Sequence, residues 1–216
     1  MRSSLRILIT AGPTREPIDA VRFISNRSSG AMGLALTAAA VEAGHDVTLL
    51  LGPGPRDNEL PAGARVYRFQ SSAELQQLLE AHFGDCDVLI MAAAVADYRP
   101  VIVQEGKLPR NSEGNLVLEL QPTPDLVALM AQRRKPSQRI IAFALEEPDH
   151  LEQRAAEKLA RKGVDAIVAN PLATMESGTI NAVWLTADPS QRDAPGRMDK
   201  QAFAHWLLGK IAEIQR

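Results

Sequence analysis

The chain is predicted to fold as an α/β protein: a doubly wound, Rossmann-like, mostly parallel sheet with helices on both faces and a small antiparallel strand or flap extension. Three observations predict it. Short apolar runs alternate with helical patterns along the 216 residues. Runs such as 5–10 and 87–91 are continuously apolar, which suits strands buried on both faces. The long loop after the first run enters an Ala-rich helix through Ser28-Ser29-Gly30, the place where such sheets bind ligands.

Taken in order, the sequence predicts a strand over 5–10, a polar loop over 11–29, and a helix over 30–43 that stops at Gly44. Strands follow at 46–51 and 65–69. Ser72 is the expected cap of a helix running to about residue 81, with Glu74 complementing the dipole in its first turn. The fourth strand, 87–91, runs into Ala92-Ala93-Ala94. Residues 97–114 are polar and irregular and read as a flap (about 98–115), while 116–120 alternates with period two and suits an edge strand. Thr123 or Pro124 opens a helix, because proline suits a first turn and Asp125 faces the positive end of the dipole. The remainder reads as a strand at 139–144, a helix at 151–162, strands at 166–169 and 180–186, and an amphipathic helix at 200–214. No repeat or composition break marks a linker, so 1–216 reads as a single domain.

Composition narrows the function classes. Hydrophobic residues make up 45% and charged residues 23%, enough to bury a core. A formal net charge of −2 offers no attraction to nucleic acid or to an anionic membrane. The lone cysteine, Cys86, cannot form an internal disulfide and precedes an apolar run, so it reads as a buried, inert thiol. No secretory segment opens the chain and no run reaches membrane-spanning length, so a cytoplasmic protein is expected.

The first loop carries the chemistry. Ser28, Ser29 and Gly30 stand at a helix entrance, where backbone N–H groups point outward and the dipole favours a phosphate or carboxylate. Asn26, with donor and acceptor on one neutral side chain, suits holding an acyl-phosphate carbonyl without reacting. The competing structural reading has Ser28 merely capping the helix. The loop contains neither Gly-x-Gly-x-x-Gly nor Gly-Lys-Ser, which counts against dinucleotide and P-loop assignments.

Three segments, 12–19 (Gly-Pro-Thr-Arg-Glu-Pro-Ile-Asp), 22–30 (Arg-Phe-Ile-Ser-Asn-Arg-Ser-Ser-Gly) and 93–99 (Ala-Ala-Val-Ala-Asp-Tyr-Arg), resemble the bacterial phosphopantothenoylcysteine synthetases of coenzyme A synthesis. The resemblance runs from Leu5 to at least Asn170. It implies a phosphopantothenate–cysteine ligase that uses CTP with Mg²⁺. The carboxylate of 4′-phosphopantothenate attacks the α-phosphate to give an acyl-cytidylate and pyrophosphate; the cysteine amine then displaces CMP. It also implies site roles. Asn26 contacts the acyl intermediate. Ser28, Ser29 and Gly30 form the triphosphate-side loop, and Gly12 is a further nucleotide-binding residue. Met91, Ala92 and Ala93 underlie the nucleotide, and Asp97 reads it. Lys107 closes over the reacting phosphates from the flap. Pro124, Asp125, Leu126 and Val127 lie near the base, Phe143 lies beside the nucleotide, and Lys158 and Lys162 form a lysine pair on one helical face. Each has a bland alternative: Phe143 as core, Asp97 as a turn cap, and the lysines as a solvated face with Glu157. The resemblance further implies a homodimer joined through strand pairs. Because the chain starts at the synthetase's first strand, any flavin-dependent decarboxylase is expected to be a separate protein.

Four departures from the family pattern stand out. Lysine gives way to Ala31 after Ser-Ser-Gly, Lys-Ile-Lys-Lys becomes Lys107-Leu108-Pro109-Arg110, Lys-Asn-Pro-Asp becomes Pro122-Thr123-Pro124-Asp125, and Phe-Ala-Ala-Glu-Thr becomes Phe143-Ala144-Leu145-Glu146-Glu147. A divergent but active ligase is expected. The alternative is a degenerate nucleotide-binding or regulatory relative without turnover. A nicotinamide-dependent dehydrogenase is disfavoured, since Ile102 stands four residues after Tyr98 where a short-chain reductase needs lysine.

Overall fold

In the computed structural model, which describes residues 4–110, 114–174 and 177–214, seven strands form one sheet. They are β1 (Arg6–Ala11), β2 (Asp46–Leu51), β3 (Arg65–Arg68), β4 (Val88–Met91), β5 (Arg139–Glu146), β6 (Ala166–Pro171) and β7 (Val183–Thr186). The spatial order is β3-β2-β1-β4-β5-β6-β7, parallel throughout except β7, which runs antiparallel to β6. This is the strand order of a doubly wound nucleotide-binding sheet, and its direction of winding reverses between β1 and β4.

Five helices cover the sheet: α1 (Ala31–Glu42), α2 (Ser72–His82), α3 (Leu126–Arg133), α4 (Leu151–Lys162) and α5 (Lys200–Ile214). Alternate residues of β1 face opposite sides, as the pleat requires. Ile7 and Ile9 pack with Leu36 of α1 and with Phe203 and Leu207 of α5. Leu8 packs with Leu75 and Leu79 of α2, Met130 of α3 and Leu159 of α4. Every residue of β4 is buried, which explains its unbroken apolar sequence.

Several expectations are corrected. The cap of α2 is Ser71, whose Oγ accepts from the Glu74 amide at 3.3 Å; Ser72 is instead buried, and its amide donates to Glu16 Oε1 at 2.9 Å. The buried Glu16 carboxylate therefore sits at the positive end of α2, which compensates its desolvation. The expected loop over 11–29 contains a hairpin, Arg15–Pro17 paired with Phe23–Ser25. Residues 116–119 lie outside any strand: Leu120–Pro122 pairs with Tyr98–Pro100 instead, leaving Leu116 and Val117 exposed. The expected strand over 180–186 is two, Thr179–Asn181 and β7, because the first part turns away to pair with Arg197–Asp199.

Cys86 lies among core side chains, and burial, assisted by the Asp87 charge, pushes its thiol up to about 12. The folded protein is therefore expected to resist thiol-specific reagents near pH 8, where almost none of it is thiolate. Ellman titration checks this. Labelling at equal rates in native and urea-unfolded samples would contradict the burial.

Beyond Tyr98–Pro100 the chain is tied to the turn of the first loop. The Gln104 amide donates to Ile18 O at 3.0 Å and the Ala20 amide to Gly106 O at 3.1 Å. Asp19 Oδ2 accepts from the Leu108 amide at 3.1 Å, and the Arg22 guanidinium donates to Leu108 O at 3.2 Å. Burial raises the Asp19 pKa, but amide donors from Val21, Arg22 and Leu108, with the Arg22 charge, outweigh it and leave the carboxyl below its ordinary 3.8. The Asp19 contribution to the tether is thus fully present above that ordinary value and is lost as pH falls through the lowered one. Asp19→Ala is expected to release residues 104–108 and to accelerate tryptic cleavage after Lys107 several-fold at neutral pH. An unchanged cleavage rate would show that the tether does not depend on this carboxylate.

Candidate active site at the switch point

The carboxyl ends of β1 and β4 open into a crevice whose two rims are stitched together. The Ala93 amide donates to Thr10 Oγ1 at 3.1 Å and the Ala94 amide to Gly12 O at 2.9 Å. The Thr14 amide donates to Ala94 O at 3.1 Å, and Thr14 Oγ1 accepts from the Ala96 amide at 3.0 Å. Threonine hydroxyls suit this seam because each reaches a loop amide that no strand neighbour can satisfy.

Across the crevice α1 starts at Gly30, which caps the helix with φ 75° and makes no side-chain capping bond. That left-handed conformation is costly for any residue with a β-carbon. Ser28 Oγ and Ser29 Oγ accept weakly from the Gly30 and Ala31 amides, at 3.3 and 3.4 Å. The reading of Ser28 as the helix cap is therefore corrected. One turn on, a β-carbon at Gly33 would lie 2.3 Å from Ala11 Cβ, so only glycine lets α1 lie this close to β1. Gly12, Gly30 and Gly33 thus allow the close approaches that a contiguous glycine fingerprint allows in doubly wound sheets, with the hairpin of the first loop inserted between the first and second.

The crevice is a cavity of about 790 Å³. It brings together Asn26, Ser28, Ser29, Gly30, Met91, Ala92, Ala93, Asp97, Pro124, Asp125, Leu126, Val127, Phe143, Lys158 and Lys162, nearly the whole expected set. Asn26 crosses it, donating from Nδ2 to Val95 O at 3.1 Å. Asp97 is exposed, and among the described residues its carboxylate accepts no hydrogen bond, so it is not a turn cap. Phe143 edges into the cavity while packing on the α1/α5 core.

The two lysines are held by carboxylates other than Glu157. Lys158 Nζ lies 2.6 Å from Glu146 Oε1 at the end of β5, and Lys162 Nζ lies 3.1 Å from Asp125 Oδ1. Asp125 has a double task, because the same oxygen caps α3 by accepting from the Ala128 amide at 3.1 Å. Glu157 instead accepts from Gln153.

Two expected residues lie elsewhere. Gly12 forms the floor beneath Gly30 and does not line the cavity. Lys107 is exposed on the segment tethered to the 18–22 turn, outside the lining. The sequence reading also missed Arg161, Asn170, Thr174 and Lys200, which the strand order carries to the cavity. A signal existed for Lys200, since a lysine as the first residue of a helix opposes the dipole preference.

Comparison with known proteins bears on the family and the fold. Residues 3–214 match the family described as the DNA/pantothenate metabolism flavoprotein C-terminal domain. A cysteine/cysteine sulfinic acid decarboxylase from an unknown prokaryotic organism is 44% identical over 170 residues, covering 77% of this chain and 46% of that protein. The coenzyme A biosynthesis bifunctional protein CoaBC of Bacillus subtilis (strain 168) is 40% identical over 215 residues, covering 97% of this chain and 52% of that protein. The chain thus spans about half the length of the curated relatives it matches. The crystal structure of the C-terminal domain of a CoaBC protein superposes with a TM-score of 0.82 at 32% identity, covering 97% of this chain and 95% of that one. By sequence along almost its full length and by fold, the chain belongs to the DNA/pantothenate metabolism flavoprotein C-terminal domain family.

Proposed function

We propose that the chain is a phosphopantothenate–cysteine ligase that condenses 4′-phosphopantothenate with cysteine through an acyl-cytidylate, using CTP, in coenzyme A biosynthesis. The supporting observation is one cavity that joins the entrance of α1, a crossing asparagine, a carboxylate that accepts no hydrogen bond among the described residues, and two lysines at the switch point. CoaBC relatives carry coenzyme A biosynthesis in their names, and the chain matches about half of each.

The chemistry asks for positioning and charge neutralisation, with no side-chain nucleophile. Asp97, free to accept, suits the exocyclic amine of a cytosine. Phosphates resting at the start of α1 meet backbone donors, with Lys158 and Lys162 opposite. The substrate carboxylate forms a bond to the α-phosphorus as pyrophosphate leaves. The cysteine amine then bonds to the acyl carbon as CMP leaves, while Asn26 holds the carbonyl. Lys107 takes part once residues 104–108 leave their tether.

Among the described residues no group of three His, Cys, Asp or Glu side chains could cage a metal. A Mg²⁺ ion would therefore be held mainly by the triphosphate itself, and the chemistry it would supply is neutralisation of phosphate charge. Exposed Val101, Ile102, Val103 and Val117 on the arm suit a second copy of the chain, which light scattering would detect. The amide product keeps the carboxylate of its cysteine, so a flavin-dependent decarboxylase that acts after this step is the partner this reading suggests.

Purified protein given CTP, Mg²⁺, 4′-phosphopantothenate and cysteine should release pyrophosphate continuously only when both acid and amine are present. Tight CTP binding without turnover at high enzyme concentration would instead support the non-catalytic relative, for which Ala31 and Pro109 are the motive.

A further inference from the structure

Lys200 is the first residue of α5, where the helix dipole disfavours a cation, and no acidic residue shares that first turn. The preceding carboxylate is already committed, since Asp199 Oδ1 accepts from the Ala202 amide at 2.7 Å. Lys200 is half-buried, and burial is the one influence that moves its ammonium, lowering it from 10.5 with no carboxylate to compensate. Asp199 lines the smaller hollow beside Lys200, but among the described residues no carboxylate forms an ion pair with this ammonium, and a partly desolvated, unpaired ammonium at a positive helix end costs stability.

Its surroundings show what would offset that cost. Lys200 lines the main cavity and also a shallower hollow of about 540 Å³ beside it, and Ser29 and Ala31 line both. Lys200 therefore stands where the two spaces meet, beside the entrance of α1, whose Gly30 offers no side-chain cap and whose Ala31 amide is only weakly engaged by Ser29 Oγ at 3.4 Å. Position 31 contributes only a methyl group there. The other cavity lysines, Lys158 and Lys162, stand on α4, which packs on the opposite face of the sheet from α1 and α5, where they pair with Glu146 and Asp125. Arg27 and Arg161 also line the cavity, but both are exposed and remain hydrated.

We propose that Lys200 is the cation of the α1 end of the cavity, binding phosphate oxygens that also meet the α1 amides, and so supplying from α5 the charge that Ala31 does not. The ligand class is a phosphate ester or polyphosphate, either the nucleotide's phosphate chain or the phosphomonoester of the acid substrate. The inference deepens the ligase reading by assigning the group that steadies phosphate at this end, but it concerns binding and is tested without turnover.

The test is calorimetry on the full chain and on Lys200→Ala, Lys200→Arg and the double variant Lys200→Ala/Ala31→Lys. Each is titrated separately with CTP, inorganic pyrophosphate, 4′-phosphopantothenate and cytidine. Lys200→Ala is expected to weaken phosphate-bearing ligands about 10–100-fold, the range for a lost charge-assisted contact. Cytidine binding should not change, Lys200→Arg should keep most of the affinity, and Ala31→Lys should restore part of it. Weakening confined to CTP and pyrophosphate identifies the nucleotide chain; weakening confined to 4′-phosphopantothenate identifies the phosphomonoester. Unchanged affinity for all three phosphate-bearing ligands overturns the proposal. So does a loss that includes cytidine, tracks a lower melting temperature and is not recovered by arginine. Should the unsubstituted protein fail to turn over while Lys200→Ala still loses phosphate affinity, the ligase reading falls and this one stands.

Discussion

Gly33→Ala is expected to remove about 3 kcal/mol of folding stability, at the upper end of overpacking penalties. The added carbon would meet Ala11 Cβ at 2.3 Å and Ala11 Cα at 3.1 Å. Neither atom belongs to a flexible side chain, and Ala11 is fully buried at the end of β1, so α1 itself must move. Native domains hold about 5–15 kcal/mol in total, so this is a large share. Urea denaturation followed by circular dichroism measures it as a lower midpoint. Gly84→Ala serves as the control, because a β-carbon there meets nothing within 4 Å. Displacement of α1 also carries the Gly30 entrance away from the crevice, so phosphate affinity should fall in parallel. A Gly33→Ala midpoint matching that of Gly84→Ala would show that α1 and β1 are not in such close contact.

The second large effect is kinetic. Asn26→Asp is expected to lower kcat/KM about 10²–10³-fold, the size seen when a preorganised polar contact to a developing charge is lost. The amide Nδ2 donates to Val95 O at 3.1 Å, which orients the side chain across the crevice. An aspartate cannot donate there: it sets a carboxylate against a carbonyl oxygen and a negative charge beside a cavity built for anions. The residue is exposed, so folding stability should barely change. Initial rates of pyrophosphate release decide the matter, and a loss smaller than about threefold, under 1 kcal/mol of transition-state energy, would remove Asn26 from the mechanism.

Much of the fold was legible because buried parallel strands and amphipathic helices leave long apolar signatures. The helices Leu151–Lys162 and Lys200–Ile214 lie where periodicity places them. What escaped was short or relational. Ser71 and Ser72 are equally good caps by residue type, and the choice was made by Glu16, a residue distant in sequence whose carboxylate needs the Ser72 amide. The alternation in 116–120 describes a face without saying whether a neighbour exists to cover it, and pairing instead begins at Leu120. Gly33 reads as an ordinary helix glycine until Ala11 is seen beneath it. Within the site, motif residues in the first loop and after β4 were readable because each segment is contiguous. Lys200 gave only the hint of a cation at a helix start, because it reaches the crevice through the packing of α5 beside α1. Lys107 shows the reverse: the motif is present, but the segment rests against the 18–22 turn.

The cross-links joining Thr10, Gly12 and Thr14 to residues 93–96 have a bearing on turnover. They lock two neighbouring strand exits into one plate before any ligand arrives, so little conformational entropy remains to be lost there on binding. Motion is left to the arm hung from Asp19. On the proposed ligase reading, association at the plate should therefore be fast, and the slow events of a cycle should be the unhooking and refastening of that arm.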